Sequence, residues 1–245
     1  MKVLIIGATS AVARAVALRL AADGAQMYWL ARNPHGLQQA LAGLESSVRG
    51  SACYDFCDTA QAAQAVENAW QCLDGIDRVL IAHGMLPDQL RTEHDITLAE
   101  QTIASNLTSV IAFLLPLVQQ MQAQGHGQIG VISSVAGDRG RPRNFTYAAA
   151  KGGLSVYLQG LRSTLWQSGV EIYTFRLGPV DTPMTASHQK NFSFASVDQV
   201  ADVIVRAFAG RRYDIYVPGF WRWVMLVVRM LPEWLFQRLA FLSAR

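Results

Sequence analysis

The sequence predicts an α/β protein built on a doubly wound, parallel, seven-stranded sheet. Short apolar runs that end in turn residues alternate along the chain with longer segments whose apolar residues recur at helical spacing. When a helix follows each strand, it brings the chain back so that the next strand runs parallel to the previous one. This alternation is the pattern of a parallel sheet covered by helices on both faces. The 245 residues suffice for one large domain, expected over 1–219, with an apolar helical extension over 220–245.

Strands are predicted where four to six apolar or small residues are bounded by polar or turn residues. The first such run, Val-Leu-Ile-Ile, closes on Gly7, as a buried strand does before a turn. Along the chain the predicted strands are 3–6, 26–30, 50–54, 78–82, 128–133, 171–176 and 214–217.

Helices are predicted where apolar residues lie three and four positions apart. The pairs Asp23-Gly24 and Asp74-Gly75 close two of them, and Pro116 predicts a bend in the longest. The predicted helices are 11–23, 37–44, 59–73, 98–124, 147–167 and 197–209.

Charge and cysteine content exclude several classes of protein. The net charge is +3, and residues 211–245 hold six arginines against two carboxylates, so the main body is close to neutral. A nucleic-acid surface is therefore not expected. Cys53, Cys57 and Cys72 lack the spacing of a zinc or redox pair, which indicates reduced thiols in a cytoplasmic protein without a metal site.

The turn after the first strand has the features of a dinucleotide phosphate site. Gly7, Thr9 and Ser10 precede a helix that opens with Ala11 and Val12, so free N–H groups would face a pyrophosphate. Alanines replace two glycines of the usual pattern, and an ordinary strand-to-helix turn fits equally well on this segment alone.

The residues after the second and third strands indicate which dinucleotide binds. An NAD site usually has an acidic residue after the second strand, but this chain has Arg32 there. A guanidinium can pair with a 2′-phosphate, which favours NADPH or NADP over NAD. The alternative is a solvated arginine. Asp55 is placed to accept a hydrogen bond from the adenine amino group.

A group of polar residues in the second half indicates carbonyl chemistry. Tyr147 and Lys151, four residues apart, share one helix face, and Ser134 ends the fifth strand. A free tyrosine has a pKa of about 10, and a neighbouring ammonium is expected to lower it. Ser134 would hold the carbonyl oxygen by a hydrogen bond. Asn106 lies on the long helix.

In these residues, and in the segment 178–182 after the sixth strand, the chain resembles the short-chain dehydrogenase/reductase family over about 1–220. The resemblance implies a Rossmann fold, Tyr147 as proton donor, Lys151 on the nicotinamide ribose and Asn106 holding a water on the proton path. It also implies dimers or tetramers formed through 98–124 and 147–167. The remaining cofactor contacts expected are Phe56, His83, Gly84, Tyr147, Pro179, Val180 and Thr182. The chain departs from the family after the fourth strand, where the usual Asn-Asn-Ala-Gly is replaced by Ile-Ala-His-Gly at 81–84. The resemblance therefore gives no role for His83.

Two further segments bear on the substrate. Arg139, Arg141 and Arg143 lie in a loop near the predicted site and could receive an anion; the alternative is a solvated basic loop. The second segment, 220–242, consists of two apolar runs that are rich in tryptophan. In a helix, Arg222 and Arg229 of the first run would lie on the same face. That run would be about 18 Å long, which is too short to cross a bilayer of about 30 Å. Two amphipathic helices in peripheral contact with a membrane are expected, the alternative being a dimer interface or a helix folded onto the core.

The turn at 7–10, the segment 85–89 and this tail resemble the bacterial decaprenylphosphoryl-2-keto-ribose reductases. That resemblance implies reduction of a keto group on a lipid-linked sugar at the inner face of the cytoplasmic membrane. The sequence leaves two alternative functions open. One is a soluble ketoreductase acting on acyl-thioesters or small ketones, and the other is a cofactor-sensing protein whose site is catalytically inactive.

Overall fold

The fold is a seven-stranded sheet whose strands all run parallel, in the order β3-β2-β1-β4-β5-β6-β7. The structure is a computed structural model, and it describes residues 1–186 and 190–239. The doubly wound fold predicted from the sequence is confirmed. The strands are β1 (Lys2–Ile6), β2 (Gln26–Ala31), β3 (Val48–Cys53), β4 (Arg78–Ile81), β5 (Gly127–Ser134), β6 (Val170–Leu177) and β7 (Asp214–Val217).

Helices cover both faces of this sheet, and two more form the tail. Those of the main body are α1 (Ala11–Ala22), α2 (Pro34–Leu41), α3 (Ala62–Leu73), α4 (Gln89–Thr92), α5 (Ile96–Ile103), α6 (Ser109–Gln124), α7 (Phe145–Thr164) and α8 (Val197–Ala207). Those of the tail are α9 (Trp221–Met230) and α10 (Glu233–Arg238). The predicted strands and long helices are all present, with boundaries that differ by a few residues.

The longest predicted helix differs most from its prediction. A π-helical segment, Ala104–Thr108, separates α5 from α6, whereas Pro116 lies within α6. The irregularity therefore falls at the predicted site residue Asn106, and such π segments are often found at functional sites. By length and composition Ile96–Gln124 could cross a membrane, but Phe113, Leu117 and Met121 pack against the sheet, and core helices meet the same criterion.

Apolar side chains on the two faces of the sheet form two separate cores. In β1, Val3 and Ile5 face α1 and α8, whereas Leu4 and Ile6 face α3 and α6. All four are essentially inaccessible to water, which is why this strand reads as an unbroken apolar run. Because β1 and β4 lie at the centre of the sheet, their carboxyl ends meet at the point where the strand order reverses, the usual ligand site of such sheets.

The tail folds onto the domain along one face only. Met225, Val228 and Phe236 are buried with Val135, in a third apolar cluster beside β7. The opposite side is exposed and apolar, with relative accessibilities of 65% for Trp223, 60% for Val227, 75% for Met230 and 61% for Trp234. The predicted pair of short helices is present, docked on the core as in the alternative interpretation. The end of the predicted extension, 240–245, lies outside the described residues.

A buried ion pair fixes the turn that follows β5. Asp138, whose side chain is 1% exposed, accepts from Arg176 Nη1 at 2.5 Å and from the Tyr216 hydroxyl at 2.8 Å. Arg176 Nε also donates to Asp214 at 2.7 Å. These contacts join the segment after Ser134 to β6 and β7 beneath the docked tail.

Candidate active site

One cavity of about 1180 Å³ lies at the carboxyl ends of the strands. All residues predicted to be catalytic or to bind cofactor line it, and so do two of the three loop arginines. The predicted residues on its wall are Gly7, Thr9, Ser10, Ala11, Val12, Arg32, Asp55, Phe56, His83, Gly84, Asn106, Ser134, Arg141, Arg143, Tyr147, Lys151, Pro179, Val180 and Thr182. The structure thus brings together residues that are up to 175 positions apart, from Gly7 to Thr182.

The floor of the cavity is formed by the turn after β1. Gly7 has φ +86°, and a Cβ there would lie 2.5 Å from the backbone nitrogen of His83. Glycine is required because the conformation is left-handed and because the turn approaches the backbone after β4 so closely. Ser10 has an extended conformation and caps α1 with its backbone, so that the first N–H groups of the helix face the cavity.

Arg32 lies at the cavity rim with its side chain exposed, and among the described residues no carboxylate forms an ion pair with it. Asp55 is nearby, and its Oδ1 accepts from the Cys57 backbone N–H at 3.0 Å. A free cation at this rim fits an anionic group on the ribose, and the Asp55 carboxylate fits a hydrogen-bond donor such as an amino group.

His83 is a neutral packing residue on the cavity wall. Its ring contacts Phe56 at a centroid distance of 4.6 Å, and Nε2 lies 2.9 Å from the Ser109 hydroxyl. Ser109 already donates to the Ser105 carbonyl at 2.9 Å, so Nε2 must carry the proton. Burial and the nearby Lys151 lower the pKa of His83 to about 3, which leaves it uncharged at neutral pH. Such a group is unsuited to be the acid of the reaction.

Close helix packing places Tyr147 and Lys151 against the end of β5. A Cβ on Gly137 would lie 2.6 Å from the backbone nitrogen of Gly152, so this glycine pair lets α7 touch the turn after Ser134. Lys151 Nζ donates to the Ile132 carbonyl at 3.0 Å and lies 5.9 Å from the centre of the Tyr147 ring. Burial lowers the pKa of Lys151 to about 8, so its ammonium form is the major one at pH 7.

The Tyr147 hydroxyl keeps its proton at neutral pH. Burial raises the pKa of Tyr147 to about 12, and its hydrogen bond with Ser134 offsets only part of that rise. The lowered pKa expected from the sequence is therefore wrong for this structure, because loss of solvation is the largest influence on the Tyr147 hydroxyl and only the hydrogen bond with Ser134 opposes it. The Ser134 hydroxyl, which accepts from Ala136 N at 3.1 Å, is held at the cavity wall.

Asn106 is completely buried in the π-helical segment. Its Nδ2 donates to the carbonyls of Met85 and Thr102 at 2.8 and 2.9 Å, and its Oδ1 accepts from Met85 N at 3.2 Å. Gly84 passes so close that a Cβ there would lie 2.5 Å from Oδ1 and 3.5 Å from Lys151 Nζ. Asn106 therefore holds the segment after β4 beside Lys151. The water implied by the family resemblance stays a prediction.

The three loop arginines have different surroundings. Arg139 does not line the cavity: Nη1 donates to the Val228 and Leu231 carbonyls at 3.1 and 2.6 Å, and its guanidinium lies over the Phe236 ring. Tail docking thus gives this side chain the role of capping the end of α9, and its substrate role stays a prediction. Arg141 and Arg143 do line the cavity.

Sequence reasoning missed Trp221, the first residue of α9, which also lines the cavity. No local pattern indicates this, because the contact depends on how the tail docks. Among residues 1–186 and 190–239, no group of three or more His, Cys, Asp or Glu side chains could hold a metal ion.

Fold and site together define a dinucleotide-dependent oxidoreductase. The family model of the short chain dehydrogenases matches residues 1–192. An uncharacterised oxidoreductase of Streptomyces coelicolor is 34% identical over 240 residues, which cover 96% of this chain and 94% of the relative. The chain belongs to the short-chain dehydrogenase family, and it is an NAD(P)-dependent oxidoreductase.

Two other proteins are similar over most of the chain. The 3-oxoacyl-acyl-carrier-protein reductase of Escherichia coli is 27% identical over 208 residues, covering 85% of this chain and 82% of that protein. A short-chain dehydrogenase of Burkholderia cenocepacia, solved in complex with NADP, has a TM-score of 0.78 at 18% identity and covers 94% of this chain and 98% of that one. At that identity the structural match supports the fold.

Proposed function

We propose that the protein uses NADPH to reduce a ketone to a secondary alcohol, with Tyr147 as the proton donor. The observation that carries this proposal is the position of Tyr147, which shares the wall of the 1180 Å³ cavity with Ser134 and Lys151, with Lys151 Nζ 5.9 Å from the centre of the tyrosine ring. Bound NADPH would supply the hydride. Gly7 and the α1 N-terminus would hold its pyrophosphate, and Lys151 the nicotinamide ribose.

The side chains of this chain would handle the oxygen of the carbonyl group. Ser134 donates a hydrogen bond to that oxygen and orients it toward Tyr147. As negative charge develops on the oxygen, Tyr147 gives up its proton. The Lys151 ammonium stabilises the resulting phenolate, which offsets the effect of burial on the tyrosine.

Preference for NADPH is attributed to Arg32. We expect Arg32→Ala to weaken NADPH binding about ten- to a hundredfold and to leave NADH binding nearly unchanged, because a charge-assisted contact to the 2′-phosphate is lost. Fluorescence titration of both cofactors measures this. Arg49→Ala, an exposed arginine outside the cavity, is the matched control. Equal affinities of the wild type for NADH and NADPH would contradict the assignment.

The proposed substrate is a keto sugar linked to a polyprenyl phosphate, as in the decaprenylphosphoryl-2-keto-ribose reductases. The two cavity arginines, Arg141 and Arg143, suit a phosphate-bearing sugar. The exposed apolar side of α9 suits the lipid, because tryptophans and apolar residues stand beside Arg222 and Arg229, as in helices that lie in a membrane interface. The protein would then work at the inner face of the cytoplasmic membrane.

The assay for this substrate follows NADPH oxidation with a polyprenyl-phosphate 2-keto-pentose in vesicles containing anionic phospholipid. We expect reduction by the wild type and at least a tenfold lower rate for Val227→Glu/Met230→Glu, which places charge on the face that meets lipid. Leu18→Glu, on the exposed side of α1, is the control. The double variant should reduce a short-chain, water-soluble analogue at the wild-type rate.

A second candidate function is reduction of acyl-thioesters or small ketones by a soluble enzyme. The similarity to the E. coli acyl-carrier-protein reductase favours it. Reduction of such ketones, with no activity on the lipid-linked sugar, would establish this alternative. NADPH binding without reduction of either class would instead indicate a cofactor-sensing protein.

Association into dimers or tetramers is proposed through the outer faces of α6 and α7. Leu115 and Val156 are 54% and 67% exposed there, large apolar side chains on the faces of α6 and α7 that point away from the core. Sedimentation velocity tests this: a monomer at micromolar concentration would contradict it.

A further inference from the structure

The first turn of α7 carries Tyr147, and the helix's own N-cap residue does not hold that turn. The helix begins at Phe145, only two residues before Tyr147. Asn144, at the N-cap position, forms no side-chain cap hydrogen bond within the described part of the chain. Because the first N–H groups of a helix have no partners inside it, a first turn without a cap tends to fray. Another group must therefore fix the turn on which Tyr147 lies.

Gln89, on the short helix α4, supplies this cap from a distant part of the chain. Its Oε1 accepts from the Thr146 backbone N–H at 3.1 Å, and its Nε2 lies 3.2 Å from the Thr146 hydroxyl, to which it donates. One side-chain amide thus holds both the backbone and the side chain of the residue that immediately precedes Tyr147.

The orientation of the Gln89 amide is itself fixed by a chain of hydrogen bonds. The Thr92 hydroxyl donates to the Gln89 carbonyl at 2.8 Å, and its oxygen lies 3.0 Å from the Thr146 hydroxyl. A hydroxyl has one proton, so Thr146 donates to Thr92 and must accept from Gln89 Nε2. Gln89 and Thr92 are only 6% and 7% exposed, so little water competes for these bonds.

The other close attachment of α7 lies further along the helix. The contact between Gly137 and Gly152 is five residues beyond Tyr147, a rise of about 7.5 Å. Ser134, the hydrogen-bond partner of the Tyr147 hydroxyl, is held separately at the end of β5, where its own hydroxyl contacts the Leu177 carbonyl at 3.3 Å. The position of Tyr147 relative to Ser134 therefore depends on the cap that Gln89 provides.

We propose that Gln89 is a positioning residue, which holds the first turn of α7 so that the Tyr147 hydroxyl stays in register with Ser134. The inference rests on the proposed function, because that function makes Tyr147 the proton donor. Gln89 also lines the cavity, but this role acts through Thr146 and requires no contact with substrate or cofactor.

The test compares Gln89→Met with Gln124→Met, in which a half-buried glutamine outside the cavity loses a 2.9 Å hydrogen bond to the Ile76 carbonyl. The ketone is whichever the wild type reduces fastest among a polyprenyl-phosphate 2-keto-pentose, an acetoacetyl thioester and cyclohexanone. We expect Gln89→Met to lower kcat about tenfold, because a small displacement of a reacting group is costly. KM for the ketone, NADPH affinity and all constants of Gln124→Met should stay near those of the wild type.

A conservative variant separates positioning from a general loss of structure. Gln89→Glu keeps an acceptor for the Thr146 N–H, can accept from the Thr146 hydroxyl, and places negative charge at a helix N-terminus, where it is favourable. Its kcat should return to within about threefold of the wild type. A raised KM at unchanged kcat in Gln89→Met would indicate a substrate contact and overturn the proposal. Failure of Gln89→Glu to recover the rate, or an equal loss in Gln124→Met, would also overturn it.

Fluorine NMR of protein labelled with fluorotyrosine, with NADPH bound, gives a readout that needs no substrate. The Tyr147 resonance is assigned by its absence from Tyr147→Phe. We expect Gln89→Met to shift or broaden this resonance and Gln124→Met to leave it unchanged. If the wild type reduces none of the ketones but the resonance still depends on Gln89, the proposed function fails and the positioning role stands. An unchanged resonance in Gln89→Met would overturn the positioning role.

Discussion

Replacing Tyr147 by phenylalanine is expected to lower kcat for ketone reduction by 10²- to 10⁴-fold, roughly the contribution of a positioned general acid. The ring would remain on α7, but the proton that the developing alkoxide requires would be missing. NADPH affinity should change by less than about threefold, because the phosphate contacts lie elsewhere. Stopped-flow measurement of NADPH oxidation, together with cofactor titration, checks both parts.

The matched control is Tyr157→Phe on the same helix, where the ring packs against the core instead of the cavity. Its rate should stay near that of the wild type. In the wild type, the rate should fall as the pH rises through about 8, because Lys151 then loses its charge while Tyr147, with a pKa of about 12, keeps its proton. A Tyr147→Phe enzyme with a near-normal rate would eliminate the proposed proton donor.

Replacing Asp138 by alanine is expected to destabilise the protein by about 3–5 kcal/mol. The change leaves the Arg176 guanidinium buried with one carboxylate fewer, and the Tyr216 hydroxyl loses its acceptor. For a chain of this length the loss corresponds to a fall in Tm of roughly 10 °C. Thermal and urea denaturation followed by circular dichroism measure it.

Asp202→Ala provides the control for this prediction, because its ion pair with Arg19 is far more accessible to solvent, with side chains 48% and 27% exposed. That variant should lose no more than about 1 kcal/mol. Replacing both buried partners, as Asp138→Leu/Arg176→Met, should recover part of the stability, since neither buried charge then remains and the Asp214 carboxylate, which also loses Arg176, is partly exposed to solvent. A loss from Asp138→Ala as small as that from Asp202→Ala would show that solvent reaches the buried pair.

Local sequence determined the sheet and much of the site. The central strands β1 and β4 are apolar runs because both sheet faces are covered there, and Gly7 marks a turn that no residue with a Cβ could form. Tyr147 and Lys151 share a face because four residues make about one helical turn. These features depend on spacing within one segment, so they can be predicted from the sequence without knowledge of the tertiary structure.

Tertiary structure decided the features that depend on contacts between distant segments. Burial, which depends on α7 packing against β5, reversed the expected direction of the Tyr147 pKa shift. Docking of α9 made Arg139 a cap for the tail helix and brought Trp221 to the cavity. The amphipathic pattern of the tail predicted its helices, but which face the domain covers depends on an apolar cluster formed with Val135, 90 residues before Met225.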